Sequence, residues 1–474
     1  MYGSLSNKQM LKGVEIYNFR CIRELKLELK PLTILVGPNA SGKSSILYAI
    51  MWFATKYLTN PSLERFLASD PEKRTLDINN SYEELVFKQD LVKNWLGATL
   101  TFRIDEDARE QLEEDFERIE WTALGMEKPP LLTEVSYGFK INGPIKGGER
   151  VHNYEVILKL DDFHLSFKMI RKVDEYYWSL QGSLKAEGHG YRSSLVLGDR
   201  FYLRALFEEF FRDRGGALPE DQAKTLENID SALEKILRSF IRSKLEGLFL
   251  IRSERGRIDL SSDTTIMRST GSRGENVLRV LGYIFTHYDR KLKEEMSRNF
   301  LEWCEKFGIY GMNAGLAEDG RLRASFEDLG TLLNLAYGSF GHRQFITFLA
   351  QLIASPPGSI IMIEEPEMSL HPEAQVMLPH LFAELIRKQN KQIIITTHST
   401  LIPLAISDVV YENGSEESRL SVEDIAIYEV KRGEDGTTTC NPIRLTPEGY
   451  PEGGIPSFAK VEADLYSKIL RRLS

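Results

Sequence analysis

The sequence predicts an α/β fold in which two distant parts of the chain combine in one parallel sheet. The first observation is a short apolar strand, Ile34 to Val36, that leads into a glycine-containing loop and a helix. The second is a pair of apolar strands, 360–363 and 393–395, each followed at once by polar residues. Because the carboxyl ends of parallel strands meet at one edge of a sheet, we expect the three loops to converge.

The loop after the first strand matches G-x-x-x-x-G-K-[ST] without a mismatch, which indicates a phosphate-binding loop. Backbone N–H groups and a helix N-terminus then face one point with positive potential. Lys43 is expected to reach the β- and γ-phosphates and the Ser44 hydroxyl to hold Mg²⁺. The alternative is a glycine turn before an unrelated helix. The expected nucleotide-binding residues are Gly37, Pro38, Asn39, Ala40, Ser41, Gly42, Lys43, Ser44 and Ser45.

The second strand ends in two acids, Glu364 and Glu365, followed by Pro366. Carboxylates beside a phosphate loop can hold Mg²⁺ and orient an attacking water. We assign Glu364 to the metal and Glu365 to the water as general base. The alternative is a strand that ends in a solvated acidic turn.

The third strand delivers His398 to the same edge of the predicted sheet. A histidine there can donate to a γ-phosphate, although a single histidine at a strand end is more often structural. Between the loop and the acidic strand, Ser339 and Gly341 precede an apolar helix that runs to about Ile353. Small residues leave helix N–H groups open to an anion, whereas Ser339 alone could simply cap the helix.

Lys43 and Glu365 lie far apart in the sequence, so a shared site requires an insertion between two halves of the α/β domain. We expect residues 1–105 to form the N-terminal half, 106–325 the insertion, and 326–474 the C-terminal half. The insertion begins with alternating strands and turn signals that predict an antiparallel sheet. From about residue 199 to 305 the pattern predicts helices. An apolar stripe from Leu226 to Ile241 fits a helix of about 25 residues.

The composition is that of a globular protein, with 42% hydrophobic and 27% charged residues. No stretch approaches the roughly 20 apolar residues of a membrane span, and the N-terminus lacks the apolar centre of a signal peptide. The three cysteines are widely spaced and fit no metal site. These features predict a cytoplasmic protein with reduced thiols and no membrane partner.

Five motifs resemble, in chain order, those of the ATP-binding-cassette ATPases: the phosphate loop, Ser339-x-Gly341, Glu364-Glu365-Pro366-Glu367, Ser369-Leu370-His371-Pro372 and His398. The nearest likeness is to the AAA-type branch around RecF, SMC and OLD proteins. The stretch from Ile16 to Arg20 and the tail from Thr446 to Ile455 are also similar to that branch. The resemblance covers about residues 11–105 and 325–455, whereas the middle is only loosely similar.

The resemblance implies a P-loop ATPase of cassette type, with a split head and an inserted β and helical region. It implies two copies of the chain that enclose two ATP molecules, so that Ser339 and Gly341 of one copy face the γ-phosphate held by Lys43 of the other. By the same resemblance, residues 369–372 match the family's loop at the dimer interface. His398 matches the family's switch histidine. Arg20 resembles an arginine near the nucleotide, with a salt-bridge role equally open, and Gln89 is a weak candidate for the Q-loop glutamine.

Three departures from the family pattern qualify this resemblance. Glu364 stands where most cassette ATPases have aspartate, and the signature lacks the full Leu-Ser-Gly-Gly-Gln. That second departure counts against a transporter cassette. The stretch after His398 has no Asp-x-Asp cluster, so we expect the Toprim nuclease domain of OLD proteins to be missing and any nuclease to come from a partner.

The net charge of −9 argues against nucleic-acid binding over the whole surface, but residues 238–279 carry nine basic and five acidic residues. Phosphate contacts for DNA are one interpretation of this basic segment. The other is a solvated helix face, with arginines that pair inside the dimer or lie near the nucleotide. The expected function is a Mg²⁺-dependent ATPase whose ATP-bound dimer acts in DNA repair or defence against foreign DNA. The alternative is an ATP-gated switch that regulates a protein effector, such as a nuclease, without contacting DNA.

Overall fold

The structure is a computed structural model, and it describes residues 11–59, 86–89, 95–124, 129, 132–142, 145–146, 149–150, 153–161, 163–172, 175–189, 196–197, 200–411, 420–456 and 467. The strands are, in chain order, β1 (Leu11–Phe19), β2 (Ile22–Glu28), β3 (Leu32–Val36), β4 (Leu96–Arg103), β5 (Glu134–Asn142), β6 (Ile145–Lys146), β7 (Glu149–Arg150), β8 (Asn153–Leu160), β9 (Phe163–Lys172), β10 (Glu175–Gly182), β11 (Ala186–His189), β12 (Val196–Leu197), β13 (Arg200–Phe201), β14 (Leu248–Ile251), β15 (Tyr310–Leu316), β16 (Leu322–Asp328), β17 (Thr331–Asn334), β18 (Ile360–Glu364), β19 (Gln392–Thr397), β20 (Ile425–Arg432) and β21 (Thr438–Ile443).

The α-helices are α1 (Lys43–Thr59), α2 (Glu106–Glu117), α3 (Leu203–Arg212), α4 (Glu220–Lys235), α5 (Arg242–Glu246), α6 (Val277–Thr286), α7 (Arg290–Lys306), α8 (Phe340–Ala354), α9 (Pro372–Gln389), α10 (Leu401–Leu404) and α11 (Ile406–Tyr411). A π-helical segment, Ile236–Ile241, joins α4 to α5, so the predicted apolar stripe lies on one continuous helical stretch. None of the helices among the described residues is long and apolar enough to span a membrane.

The central sheet has the strand order β14-β18-β19-β3-β20-β21. Adjacent strands of this sheet are parallel, except that β21 is antiparallel to β20. All residues of β3, β18 and β19 are buried, as expected for parallel strands covered on both faces. The sheet therefore unites strands from the N-terminal and C-terminal parts of the chain, as the sequence predicted.

The register brings the three loops to one edge of this sheet. Glu364 on β18 pairs with Thr396 on β19, and Thr396 pairs with Leu35 on β3. Gly37 follows β3 directly and His398 follows β19 directly. The phosphate loop, the acidic strand end and His398 consequently emerge side by side.

A second, antiparallel sheet of eight strands has the order β11-β10-β9-β8-β5-β4-β1-β2. It begins with N-terminal strands and continues without a break into the strands predicted for the insertion. Helix α1 packs against it, with Phe53 stacked on Phe139 and Tyr57 edge-on to Tyr137. The same helix also contacts β14 of the central sheet, so it lies between the two sheets.

One prediction for the insertion was wrong, because residues 248–251 lie in the stretch predicted as helical but form strand β14. Four consecutive apolar residues are compatible with either a buried helix or a buried strand, so periodicity cannot separate them. Parallel pairing of Leu248–Ile251 with Ile360–Ile363 of β18 decides in favour of a strand. The insertion thus supplies the edge strand beside the acidic strand.

Lys391 lies just before β19 and is almost completely buried, with its amine donating to the Leu352 carbonyl of α8. Burial lowers the pKa of Lys391 from 10.5 to about 7. Between these two pH values the unfolded chain binds more protons at this site than the folded chain. The free energy of unfolding should therefore rise with pH in that window, by at most about 1.4 kcal/mol per pH unit.

Replacing Lys391 by methionine keeps the side-chain length and removes the titrating amine. We expect K391M to lose this upward component when urea unfolding is measured from pH 7 to about pH 9.5. The control is K388M, at a partly exposed lysine that pairs with Glu384. Equal pH slopes for the wild-type protein and K391M would contradict the assignment of a neutral buried amine.

Candidate nucleotide-binding site

The phosphate loop connects β3 to α1 through two glycines that no other residue can replace. Gly37 has φ 156°, and a Cβ there would lie 2.3 Å from the Val430 carbonyl oxygen. Gly42 has φ 108°, and its Cβ would lie 2.1 Å from Thr438 Oγ1. Residues of β20 and β21 therefore pack directly against the loop and leave no space for a side chain at either glycine. The C-terminal part of the chain thus helps to determine the conformation of the N-terminal motif.

Lys43 is the buried cation of this loop. Its ammonium donates to the carbonyl oxygens of Gly37 at 2.9 Å and Pro38 at 2.8 Å. Burial lowers the pKa of Lys43 to about 8, while the charges of Glu365, Glu367 and Glu364 act in the opposite direction. The register of β3, β19 and β18 places this loop at the same edge of the sheet as the acidic strand end.

Glu364 is held by groups from the N-terminal part of the chain and from the stretch predicted as the insertion. Its Oε2 accepts hydrogen bonds from the Tyr48 hydroxyl at 2.9 Å and from the Ser253 N–H at 3.2 Å. Burial, followed by the charge of Glu364, raises the pKa of Tyr48 to about 12, so this hydroxyl remains a donor at neutral pH. The carboxylate of Glu364 is thus fixed beside helix α1.

Two arginines surround Tyr48. The Arg252 Nε donates to the Tyr48 hydroxyl at 3.2 Å, and its guanidinium lies 5.5 Å from the ring centroid. The Arg20 guanidinium lies 5.0 Å from the same centroid. Burial lowers the pKa of Arg20, and Glu364 is among the charges that oppose this shift. Arg20 consequently lies in the neighbourhood of the acidic strand end.

Glu365 and His398 meet at the edge of the sheet. His398 Nε2 lies 3.5 Å from Glu365 Oε1, and this contact is the main cause of a lowered pKa for Glu365, which keeps the carboxylate ionised. The His398 backbone N–H donates to Glu367 Oε1 at 2.7 Å. Glu365 itself has φ 45°, a left-handed conformation that is rare outside glycine and asparagine. An ionised carboxylate on a fixed backbone can accept a proton from a water molecule.

Arg255 belongs to this site although sequence reasoning placed it in the basic segment. Only 2% of its surface is exposed, and its guanidinium donates to the carbonyl oxygens of Glu364 at 2.6 Å and Glu365 at 2.9 Å. Burial lowers the pKa of Arg255 to about 10, against the charges of the nearby acids. No pattern in the local sequence distinguishes this arginine from its neighbours. Arg255 therefore does not belong to a solvated helix face.

Ser339 and Gly341 lie at the N-terminus of α8, where Ser339 Oγ accepts a hydrogen bond from the His342 N–H at 3.2 Å. Gly341 packs so closely on the 369–372 loop that a Cβ would lie 2.5 Å from the Ser369 carbonyl oxygen. The two motifs therefore form one continuous surface. Gln89 ends a short 3-10 turn, and its side chain lies outside the described residues.

A parallel sheet with a phosphate loop, an acidic strand end and a histidine at one edge defines a P-loop ATPase of ATP-binding-cassette type. The chain belongs to the AAA ATPase domain family, whose model matches residues 10–402. The predicted fold class and the assignment as an ATP hydrolase are thereby confirmed.

The chain is also similar to the OLD nuclease of Thermus scotoductus, with 25% identity over 394 residues. The match covers 83% of this chain and 59% of the relative, so the chain spans about three fifths of the relative's length. The predicted likeness to the RecF, SMC and OLD branch is confirmed.

Two solved structures align over most of their lengths. One is an SMC head domain with an extended coiled coil bound to the C-terminal domain of ScpA, from Pyrococcus furiosus, at 14% identity and TM-score 0.41, covering 98% of this chain and 99% of the other. The other is the SMC head domain from Thermotoga maritima, at 13% identity and TM-score 0.34, covering 92% of this chain and 100% of the other.

Proposed function

We propose that the protein is a cytoplasmic, Mg²⁺-dependent ATPase that dimerises around ATP and acts in DNA repair or in defence against foreign DNA. The proposal that the protein hydrolyses ATP is supported by one observation. Lys43, Glu364, Glu365 and His398 all lie at one edge of the central sheet. In this proposal Lys43 and the loop N–H groups bind the phosphates. Glu365 accepts the proton of the attacking water, and His398 contacts the γ-phosphate.

The residues at this edge fit a magnesium ion. The Ser44 hydroxyl and the Glu364 carboxylate are oxygen donors, the ligand type that Mg²⁺ prefers. Glu364 is 2% exposed and receives its hydrogen bonds at Oε2 from Tyr48 and Ser253, which orient the carboxylate. The ion would neutralise charge on the transferred phosphoryl group.

The proposed dimer face is the surface around Ser339, Gly341 and residues 369–372. Next to Ser339, the side chains of Tyr337 and Phe340 are 70% and 48% exposed. Exposed aromatic residues beside a helix N-terminus support a partner that covers them. A second copy of this chain fits best, because its triphosphate would bring negative charge to the N-terminus of α8.

The dimer is tested with E365Q, which should retain ATP, by light scattering coupled to size exclusion. We expect the mass to double with ATP and Mg²⁺ and to remain that of a monomer without nucleotide. F340D places a charge in the proposed interface and should prevent doubling while ATP still binds. E318K, at an exposed turn between β15 and β16, is the control. A monomer in E365Q with saturating ATP would contradict the dimer.

The role with DNA is supported by the similarity to an enzyme named a nuclease, since nucleases cleave nucleic acids. The basic segment gives less support than its charge suggested. Five of its basic residues form ion pairs with acids: Arg238 with Glu234, Arg242 with Glu246, Lys244 with Asp105, Arg273 with Glu254 and Arg279 with Asp263. This pairing favours the alternative, an ATP-gated switch for a protein effector such as a nuclease.

DNA binding separates the two functions. Fluorescence anisotropy of E365Q with ATP and labelled DNA should show an affinity that falls steeply as salt is raised if the chain contacts phosphates. Charge reversal at Arg252 and Arg255 is not a clean test, because both contact the nucleotide site. Absence of binding at low salt, for single-stranded and duplex DNA, would contradict direct DNA contact and leave the effector alternative.

A further inference from the structure

Arg255 is a buried cation whose three guanidinium hydrogen bonds all go to backbone carbonyl groups, while its Nε has no hydrogen-bond partner among the described residues. Nη1 donates to the carbonyl oxygens of Arg252 at 3.0 Å and Glu364 at 2.6 Å, and Nη2 donates to that of Glu365 at 2.9 Å. The two acidic residues lie more than a hundred positions further along the chain. One planar side chain therefore links the loop after β14 to the end of β18.

Arg255 binds the backbone of Glu365, whose conformation is unfavourable without stabilising contacts. Glu365 is a non-glycine residue at φ 45°, a conformation that is unfavourable for a residue with a side chain and persists only where its surroundings hold it. The Glu365 N–H donates to the Thr396 carbonyl oxygen at 2.9 Å, and the Met368 N–H donates to the Glu365 carbonyl oxygen at 3.1 Å. Arg255 adds a charge-assisted hydrogen bond at the same carbonyl.

The segment that carries Arg255 is itself attached on its other side to helix α8. Gly256 lies against Gln344, where a Cβ would be 3.1 Å from the backbone nitrogen, and the Thr270 N–H donates to Gln351 Oε1 at 2.8 Å. Within the same segment, the Ser253 N–H donates to the Glu364 carboxylate. The segment of Arg255 is thus attached to α8, while Arg255 itself binds the main chain of both acids.

We propose that Arg255 is a positioning residue for ATP hydrolysis, which holds the backbone of Glu364 and Glu365 so that both carboxylates face the phosphates. The proposal rests on the ATPase reaction of this site and does not depend on dimerisation or DNA. Lysine cannot replace this arginine, because a compact ammonium does not reproduce a planar fork that donates to carbonyl groups from two loops.

The test compares R255Q and R255K with R279Q, which removes another arginine of the basic segment, one that lies on α6 and pairs with Asp263. We expect kcat for ATP hydrolysis to fall about 10- to 100-fold in R255Q and somewhat less in R255K, as for lost positioning contacts. The dissociation constant of a fluorescent ATP analogue should stay within about threefold of the wild-type value. R279Q should keep the wild-type kcat and the wild-type dissociation constant.

A second measurement separates positioning from folding. R255A leaves a space lined by the carbonyl oxygens of Glu364 and Glu365, and millimolar methylguanidinium should restore part of its kcat with saturation. The same compound should not raise kcat in E365Q. Wild-type kcat in R255K and R255Q would overturn the proposal. So would parallel losses of kcat, nucleotide binding and melting temperature in both variants without rescue of R255A. Absent hydrolysis in the wild-type protein would instead count against the proposed function.

Discussion

Replacing Glu365 by glutamine is expected to lower kcat for ATP hydrolysis by roughly 10²- to 10⁴-fold, the range attributed to a lost general base. Glutamine has the same shape but cannot accept a proton from water. The Glu365 main chain is held by Thr396, Met368 and Arg255, so its conformation should persist in E365Q. The lowered pKa of Glu365 means that the carboxylate is ionised, and ready to act as a base, at neutral pH.

Phosphate release measures the hydrolysis, and equilibrium titration with a fluorescent ATP analogue measures the binding. The affinity for ATP should not fall in E365Q, because the amide removes a negative charge beside the phosphates. E318Q is the matched control, since Glu318 is exposed in the turn between β15 and β16. A kcat in E365Q within about twofold of the wild-type value would remove Glu365 from the reaction.

Replacing Lys43 by methionine is expected to weaken ATP affinity by roughly 10- to 100-fold, as for a lost charge-assisted hydrogen bond of about 1.5–3 kcal/mol. The amine now donates to the carbonyl oxygens of Gly37 and Pro38, within the loop that cradles the phosphates. A triphosphate would offer it stronger acceptors. Methionine fills the same space but provides no donor and no charge.

Isothermal titration calorimetry with ATP and Mg²⁺ measures this loss directly. K26M serves as the control, because Lys26 is a largely exposed lysine on β2 that pairs with Glu15. The melting temperature of K43M without nucleotide should not fall, since burial of the amine is itself costly. An unchanged ATP affinity in K43M would show that the loop does not bind the phosphates.

Much of the site could be predicted from the sequence because each of its parts is local. Three fully buried strands end at Val36, Glu364 and Thr397. The candidate site residues lie at these strand ends or follow them closely. Parallel strands place such ends at one edge, so three local patterns suffice to bring Lys43, Glu365 and His398 together. The same reasoning gave the helix α8 after Ser339.

The rest depends on contacts between residues far apart in the chain, which no local pattern encodes. Arg255 belongs to the site because of carbonyl groups 109 and 110 positions away. Tyr48 supports Glu364 across 316 positions, although in the sequence it is one apolar residue of a helix. Strand β14 and the continuous eight-stranded sheet likewise depend on pairing partners that periodicity does not identify.

Both parts of the chain are expected to hold the same triphosphate. The most direct test is an experimental structure of E365Q with ATP and Mg²⁺. We expect the γ-phosphate between the Lys43 amine and the carboxamide at position 365, with the ion at Ser44 and Glu364. Nucleotide density at any other place, with this edge of the sheet free of phosphate, would contradict the account.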